Sequence, residues 1–467
     1  MLAFLSKWIQ ISAVLVVLLL TGATLHAQTG RTPLTPENIQ TVALVEVQPW
    51  AGRLRAFRFS LDGRWLAGTG VIAGNAHDPL GIWDTATWEL TTTQPIDWHG
   101  ALAFSPDSRL VAFAQGEQIV VWELERRAAV VTIARVSEPD GFLDNYPTAV
   151  IFTPDGANLI IGYRDGQLEI WNITAAAPRL VAAFRPHRVQ IENFALSPDG
   201  TLLAVAYFQN AVALWDLRGG IEIVSPGDLL PYGQFVGAER LEFSRDGALL
   251  GVFGGSRSAV LWDVPARRLL DPQPELAYFA ESALLSPDAR TLLLTTDYFG
   301  ELGFLDLPSG DVVNWSVDDR YSPLAMNADW SLGVLGGRQY VTALDPAGGR
   351  LHSLLNIGAQ AVAITPDGSA IIASPGNQLW VFALPTAAQP ALTIYPAHLR
   401  QAAFVRTEPD VASHEDLVPK GEVSVIGRDA AGEFVYVLDY GGWVLNDPAF
   451  IDLNGVSVDV LPVFPIR

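Results

Sequence analysis

The chain contains no cysteine in 467 residues, which excludes disulfides, thiolate metal sites and a cysteine nucleophile. Positive charge is scarce as well: 29 Lys+Arg stand against 50 Asp+Glu, for a formal net charge of -21. No basic run is present, and a field of this sign repels phosphate backbones and anionic lipid, so nucleic acid is not an expected partner. Charged residues of both signs make up only 17% of the chain and hydrophobic ones 49%, a balance that supplies ample core and little disorder. Stability must therefore come from packing.

Catalytic signatures are missing too. There is no Gly-x-Ser-x-Gly nucleophile elbow, no His-Glu-x-x-His zinc motif, no phosphate loop and no dinucleotide-binding glycine set. The seven histidines, His26, His77, His99, His187, His352, His398 and His414, include no pair at metal-ligand spacing. Adjacent carboxylates such as Asp318 and Asp319 or Glu415 and Asp416 read as solvated surface in so acidic a chain. No catalytic residue, metal or cofactor is expected.

Long apolar runs are absent except at the N-terminus. Lys7 supplies a positive start, residues 9–20 are apolar apart from Gln10 and Ser12, and Leu25-His26-Ala27 precedes Gln28. This pattern predicts a secretory signal peptide over 1–27, and its removal leaves a net charge of -22. The run is shorter than the roughly 20 residues of a membrane span, so a membrane enters only if the segment stays uncleaved. A lipid anchor would need a cysteine. The expected location is extracellular or the cell envelope.

The sequence is rich in a repeated unit, seen most plainly over 194–217. It reads as an apolar run to Leu196, a Ser197-Pro198-Asp199-Gly200 turn, a second apolar run, a polar break at Gln209 and Asn210, and a third run closing on Trp215-Asp216. Pro198 presets φ, Asp199 bonds its own backbone and Gly200 accepts positive φ. Three such strands cannot bury both faces alone, so the unit must stack on copies of itself. The turn aspartate recurs at Asp62, Asp107, Asp155, Asp199, Asp246, Asp288, Asp329 and Asp367, a spacing of about 44 residues, as expected for four-stranded blades. Third strands end in Trp83-Asp84, Trp122-Glu123, Trp171-Asn172, Trp215-Asp216 and Trp262-Asp263, then decay to Leu305-Asp306, Leu344-Asp345 and Phe382-Ala383.

Turn and Trp-Asp recurring together resemble the WD-repeat family of β-propellers over residues 41–398. The expected fold is all-β: a lead-in over 28–40, then an eight-bladed propeller over 41–398. The ring is seven-bladed if Asn327 to Asp329 is not a blade turn. In the resembled family an N-terminal strand commonly completes the last blade; residues 41–47 and 391–395 compete for that place. The family also often sets a histidine ahead of a first strand in a buried hydrogen-bonded tetrad. His99, His187 and His398 stand at such places, while Asp165-Gly166 and Trp171 match part of the set without a preceding histidine.

After His398 the period stops. Phe404-Val405-Arg406, Val418-Pro419-Lys420-Gly421, a strand over 423–429, Phe434-Val435-Tyr436-Val437 and Gly442-Trp443-Val444 follow in order. This order resembles a bacterial Src-homology-three-like barrel, expected over 399–467, with a tail at Leu461-Pro462-Val463 packing back on it. The resemblance implies association with cell-wall peptides or glycans.

In a propeller the loops entering each first strand and those between second and third strands open on one face. Trp50, Trp98, Tyr146, Tyr232, Phe235, Tyr298, Phe299 and Tyr321 fall there, beside Asp78, Asp140, Asp144, Asp165, Asp297, Asp318 and Asp319. Aromatics beside carboxylates suit recognition of a protein, peptide or glycan; equally, they suit plugging of the channel mouth. The expected function is that of a non-catalytic exported binding or scaffolding protein. The alternative is an extracytoplasmic hydrolase or oxidoreductase with its site in the central channel.

Overall fold

The computed structural model describes residues 31–50, 53–71, 78–96, 101–135, 146–175, 177–185, 187–208, 211–224, 240–253, 260–270, 280–296, 301–316, 321–337, 339–347, 349–355, 358–375, 378–386, 391–406, 415–438 and 442–463. Among them the regular elements are all strands apart from two short 3-10 turns, Ile39–Thr41 and Val458–Val460. No helix there is long and apolar enough to cross a membrane.

Eight four-stranded antiparallel sheets form among the described residues, one per turn aspartate. The first comprises Arg53–Phe59, Trp65–Val71, Asp78–Asp84 and Glu89–Ile96; the third comprises Pro147–Phe152, Asn158–Tyr163, Leu168–Asn172 and Arg179–Phe184. Second and third strands are near-continuous apolar runs because both of their faces are covered. Leu202–Tyr207, for example, is buried from Leu203 onward. The fourth strand Arg179–Phe184 alternates, every second residue being exposed. That is the period of a strand packed on one side only.

Each consecutive pair of sheets encloses an apolar cluster. Ala204, Leu214, Leu241 and Trp262 join the fourth sheet to the fifth, and Leu284, Leu293, Leu324 and Leu335 join the sixth to the seventh. The eighth sheet meets the first through Ala363, Ile372, Leu54 and Trp83. This arrangement is consistent with a β-propeller and carries WD-repeat-like features.

The closing strand is N-terminal. Ala43–Pro49 pairs with Gln378–Ala383, Ala43 opposite Ala383 and Pro49 opposite Gln378, and completes the eighth sheet. The rival stretch around 391–395 serves elsewhere, because Tyr395–Leu399 pairs with Gly421–Arg428 in a separate seven-stranded sheet. The boundary expected after His398 therefore moves back ahead of Tyr395, and His398 does not stand before a blade strand. In the tail, the Arg428 amide donates to the Pro462 carbonyl at 2.9 Å and Leu461 is buried.

The C-terminal sheet is packed on the repeats. Phe434, Tyr436, Leu438 and Trp443 share one cluster with Val334, Val341, Trp380 and Phe382. Gln378 ties the two parts by hydrogen bonds. Its amide donates to the Leu438 carbonyl at 3.1 Å while its carbonyl accepts from the Trp380 indole at 2.5 Å.

Candidate binding face

The turn aspartates are engaged in holding the turns. Ser60 Oγ donates to Asp62 Oδ1 at 2.7 Å and accepts the Trp65 amide at 2.9 Å, while Asp62 Oδ1 accepts the Arg64 amide at 3.0 Å. The pattern repeats through Ser105, Ser197, Ser244 and Ser286. In the seventh unit Asn327 Oδ1 takes the role of the hydroxyl, accepting the Leu332 amide at 3.0 Å. Asn327 to Asp329 is thus a turn of the same kind, between Tyr321–Met326 and Gly333–Gly337.

Trp50 is not exposed, contrary to the expectation for a face aromatic. It is buried against Trp83, in space left by Gly70 and Gly81, where a Cβ would meet its ring at 2.9 and 2.6 Å. Asp78 is buried too. Trp98, Tyr232, Phe235, Tyr298, Phe299, Asp140, Asp144, Asp297, Asp318 and Asp319 lie outside the described residues, as do His77 and His99. Of Tyr321 the backbone alone is described; it opens the seventh sheet.

The described part of the face is best defined at the third sheet. Arg135 follows the last strand of the second sheet and Arg185 the last strand of the third, which sends both to the turn between Tyr163 and Leu168. Asp165 Oδ2 lies 2.7 Å from Arg135 Nη2 and 2.6 Å from Arg185 Nη2. Gln167 Oε1 accepts from the same two guanidinium groups at 2.7 and 3.2 Å. Behind them sits Glu169, with no exposed surface. It accepts from Tyr163 Oη at 2.9 Å, Gln167 Nε2 at 2.7 Å and Trp171 Nε1 at 2.8 Å. Burial and then the Glu169 charge push the Tyr163 hydroxyl pKa far up. Asp165 thus has two cations on it and is not a free base or ligand. On the outer side Arg164 lies over the Tyr146 ring at 5.4 Å, with Arg164 exposed and Tyr146 half-buried.

His187 occupies its expected place ahead of a first strand, but its partners differ from the expected tetrad. Nε2 is 3.3 Å from Glu222 Oε1, and the ring meets Tyr207 edge-on at 5.2 Å. His398 Nδ1 contacts Glu422 at 2.8 Å in the C-terminal sheet. Among the described residues no group of three His, Asp or Glu side chains is placed to hold a metal ion.

A second charged group lies on the inner strands, at positions missed from the sequence. Arg58 belongs to the first strand of the first sheet, and Arg240 and Glu242 to the first strand of the fifth. Arg240 Nη2 is 3.2 Å from Glu242 Oε2. Burial raises the Glu242 carboxyl above its ordinary value, against the pull of Arg240 and the Leu285 amide. What would have marked Arg58 and Glu242 is their place in the repeat, two residues before the turn serine, where the other units carry uncharged side chains.

No family model matches the chain. Protein groucho of Drosophila melanogaster is 29% identical over 127 residues, covering 27% of this chain and 17% of that protein, so the match spans less than a fifth of the relative's length. Among solved structures, a hydrazine synthase chain from Kuenenia stuttgartiensis superposes with a TM-score of 0.44 at 18% identity, over 58% of this chain and 91% of that one.

Proposed function

We propose that the chain is a non-catalytic, exported binding or scaffolding protein: an eight-bladed propeller whose loop face takes a protein, peptide or glycan, followed by a Src-homology-three-like barrel that favours envelope association. The observation that carries this reading is the doubly clamped Asp165. Two arginines from neighbouring outer strands converge on one turn and fix the end of the third sheet, with the Tyr146–Arg164 pair presented beside it. A face held this way loses little entropy when a partner binds. Residues 1–27 are the export signal in this reading.

The test is capture from envelope extract by the secreted form, comparing wild type with Tyr146→Ala, Tyr232→Ala and Tyr321→Ala at matched melting temperature. Loss of capture in these variants supports the reading, and undiminished capture in all three sinks it. The hydrolase alternative draws on a single group, the raised carboxyl of Glu242. It would require a second carboxylate in reach for paired acid/base work.

A further inference from the structure

We propose that the seam between the third and fourth sheets receives an acidic peptide segment that carries an apolar side chain among its carboxylates. The proposal rests on the loop-face reading above and names the kind of partner that face takes.

Contacts make the seam one continuous surface. Arg164 follows the second strand of the third sheet; its amide donates to the Tyr146 carbonyl at 3.2 Å and its guanidinium lies over the Tyr146 ring at 5.4 Å. Two residues on, Gly166 takes a φ of +83° and presses on the segment that enters the fourth sheet. A Cβ there would collide with the His187 carbonyl and come within 2.7 Å of the Val189 carbonyl. Beyond that segment the Phe208 amide donates to the Gln190 carbonyl at 2.8 Å, and the His187 ring meets the buried Tyr207 edge-on.

What the seam shows to solvent sets its chemistry. Arg164 and Phe208 hold the same place in successive units, each nine residues after its turn aspartate and directly after a buried tyrosine. Adjoining sheets thus present a cation and an aromatic ring at matching positions. Phe208 is 52% exposed and Val189 38%. The other large hydrophobics exposed on the repeats lie elsewhere, Leu61 in a turn and Val130, Val181, Val312 and Val313 on outer strands, so among the described residues this apolar pair is particular to the seam. Arg188 is exposed beside Val189, and neither it nor Arg164 makes an ion pair among the described residues. The exposed carboxylate at this end of the fourth sheet's first strand is Glu192. Two uncompensated guanidiniums against one carboxylate is a local excess of positive charge in a chain whose net charge is -21.

A guanidinium fork grips carboxylates through paired hydrogen bonds, and stacking on Tyr146 occupies the face of Arg164 while leaving its donor edge open. The Val189–Phe208 pair covers one apolar side chain of a partner. Charge selects among the candidate occupants. A nucleic acid long enough to leave the seam meets the field of the acidic chain, whereas charges beyond about 8 Å are screened at physiological salt, so a short segment is governed by the two arginines. A second copy brings its own net charge of -21 to the contact, and a neutral glycan leaves both guanidiniums unused.

The experiment is fluorescence anisotropy of the full secreted chain with labelled peptides: a leucine set between glutamates, and counterparts with glutamine or lysine in place of glutamate. The acidic peptide should bind, more weakly as salt rises, and both counterparts should bind at least about tenfold less tightly. Arg164→Gln and Arg188→Gln should each weaken the acidic peptide by about tenfold, the scale of one charge-assisted hydrogen bond. Phe208→Ser should weaken it at an unchanged melting temperature, and Val313→Ser, exposed on an outer strand, should bind as wild type does. The proposal is overturned if the acidic peptide does not bind, if the glutamine counterpart binds as tightly, or if both arginine variants behave as wild type. Self-association of the chain that Phe208→Ser abolishes would give the seam to a second copy and overturn it too. Failure of the peptides with envelope capture still lost in Tyr146→Ala overturns the partner class alone and leaves the loop-face reading standing.

Discussion

Trp50 stacks on Trp83 with ring centroids 5.1 Å apart and planes tilted by 50°, joining the segment ahead of the first sheet to that sheet's third strand. Gly81 makes the contact fit, since a Cβ there would meet both rings at about 2.5 Å. Trp50→Ala should cost about 3 kcal/mol or more, as expected for an indole removed from a core. Gly81→Ala should also destabilise, through overpacking. Denaturant melts measure both. If Trp50→Ala leaves the midpoint unchanged yet abolishes capture, the tryptophan belongs to the binding face after all.

Asp165→Ala leaves Arg135 and Arg185 mostly buried and stripped of a shared counter-charge. The expected loss is about 3–5 kcal/mol, the range for one partner removed from a buried pair. Arg164→Ala, on the exposed side, should change stability by less than about 0.5 kcal/mol while weakening capture. Equal effects of the two substitutions on stability would contradict the clamp.

Ending the chain after Ala383 removes the C-terminal sheet and uncovers Trp380, Phe382, Val334 and Val341. Burial of side chains of this size contributes about 1.5–3 kcal/mol each. The shortened chain should therefore melt lower and bind a hydrophobic dye, and its loss of partner capture would not localise the binding site. A truncated chain as stable as the whole would show that the C-terminal sheet is a loosely tethered unit.

The pH dependence has two limbs of opposite sign. Glu242 has a folded-state pKa raised by burial above its ordinary 4.5, so its penalty is full at neutral pH and relieved as pH falls through the raised value. Asp246 and Asp288 are held below their ordinary 3.8, first by the hydroxyls of Ser244 and Ser286. Their contribution is present above 3.8 and lost as pH falls through the depressed values. Stability should thus rise slightly on mild acidification and fall below the ordinary carboxylate range. Glu242→Gln should flatten the upper limb alone, in denaturant melts across pH; a wild-type upper limb in that variant would assign it to another group.

The repeat was legible because its defining contacts are local. A hydroxyl, an aspartate two residues on and an amide five residues on close the turn within one short segment, and even Asn327 reproduces it. Closure was not legible. The stretches 41–47 and 391–395 read alike as strands, and the long-range pairing of Ala43 with Ala383 decides between them. Trp50 was misplaced because a bulky aromatic ahead of a strand reads as exposed until Gly70 and Gly81 are seen to make room for it. Glu169 is marked only by a departure from the repeat, which the turn and Trp-Asp pattern by themselves do not display. Its charge stands two residues before the strand-ending tryptophan, where the neighbouring units carry Gly81, Val120, Ala213 and Val260.

The pairing of Ala43–Pro49 with Gln378–Ala383 also sets an order of events. The first described strand has its partner more than 300 residues further on, after the strands of seven other sheets, so its edge stays unpaired until that partner is made. Within the four-stranded sheets this pairing has the highest sequence separation among the described strands, and contacts of that kind are the slowest to find by chance. A chain interrupted before Gln378 would hold seven finished four-stranded sheets and an eighth left with an unpaired edge.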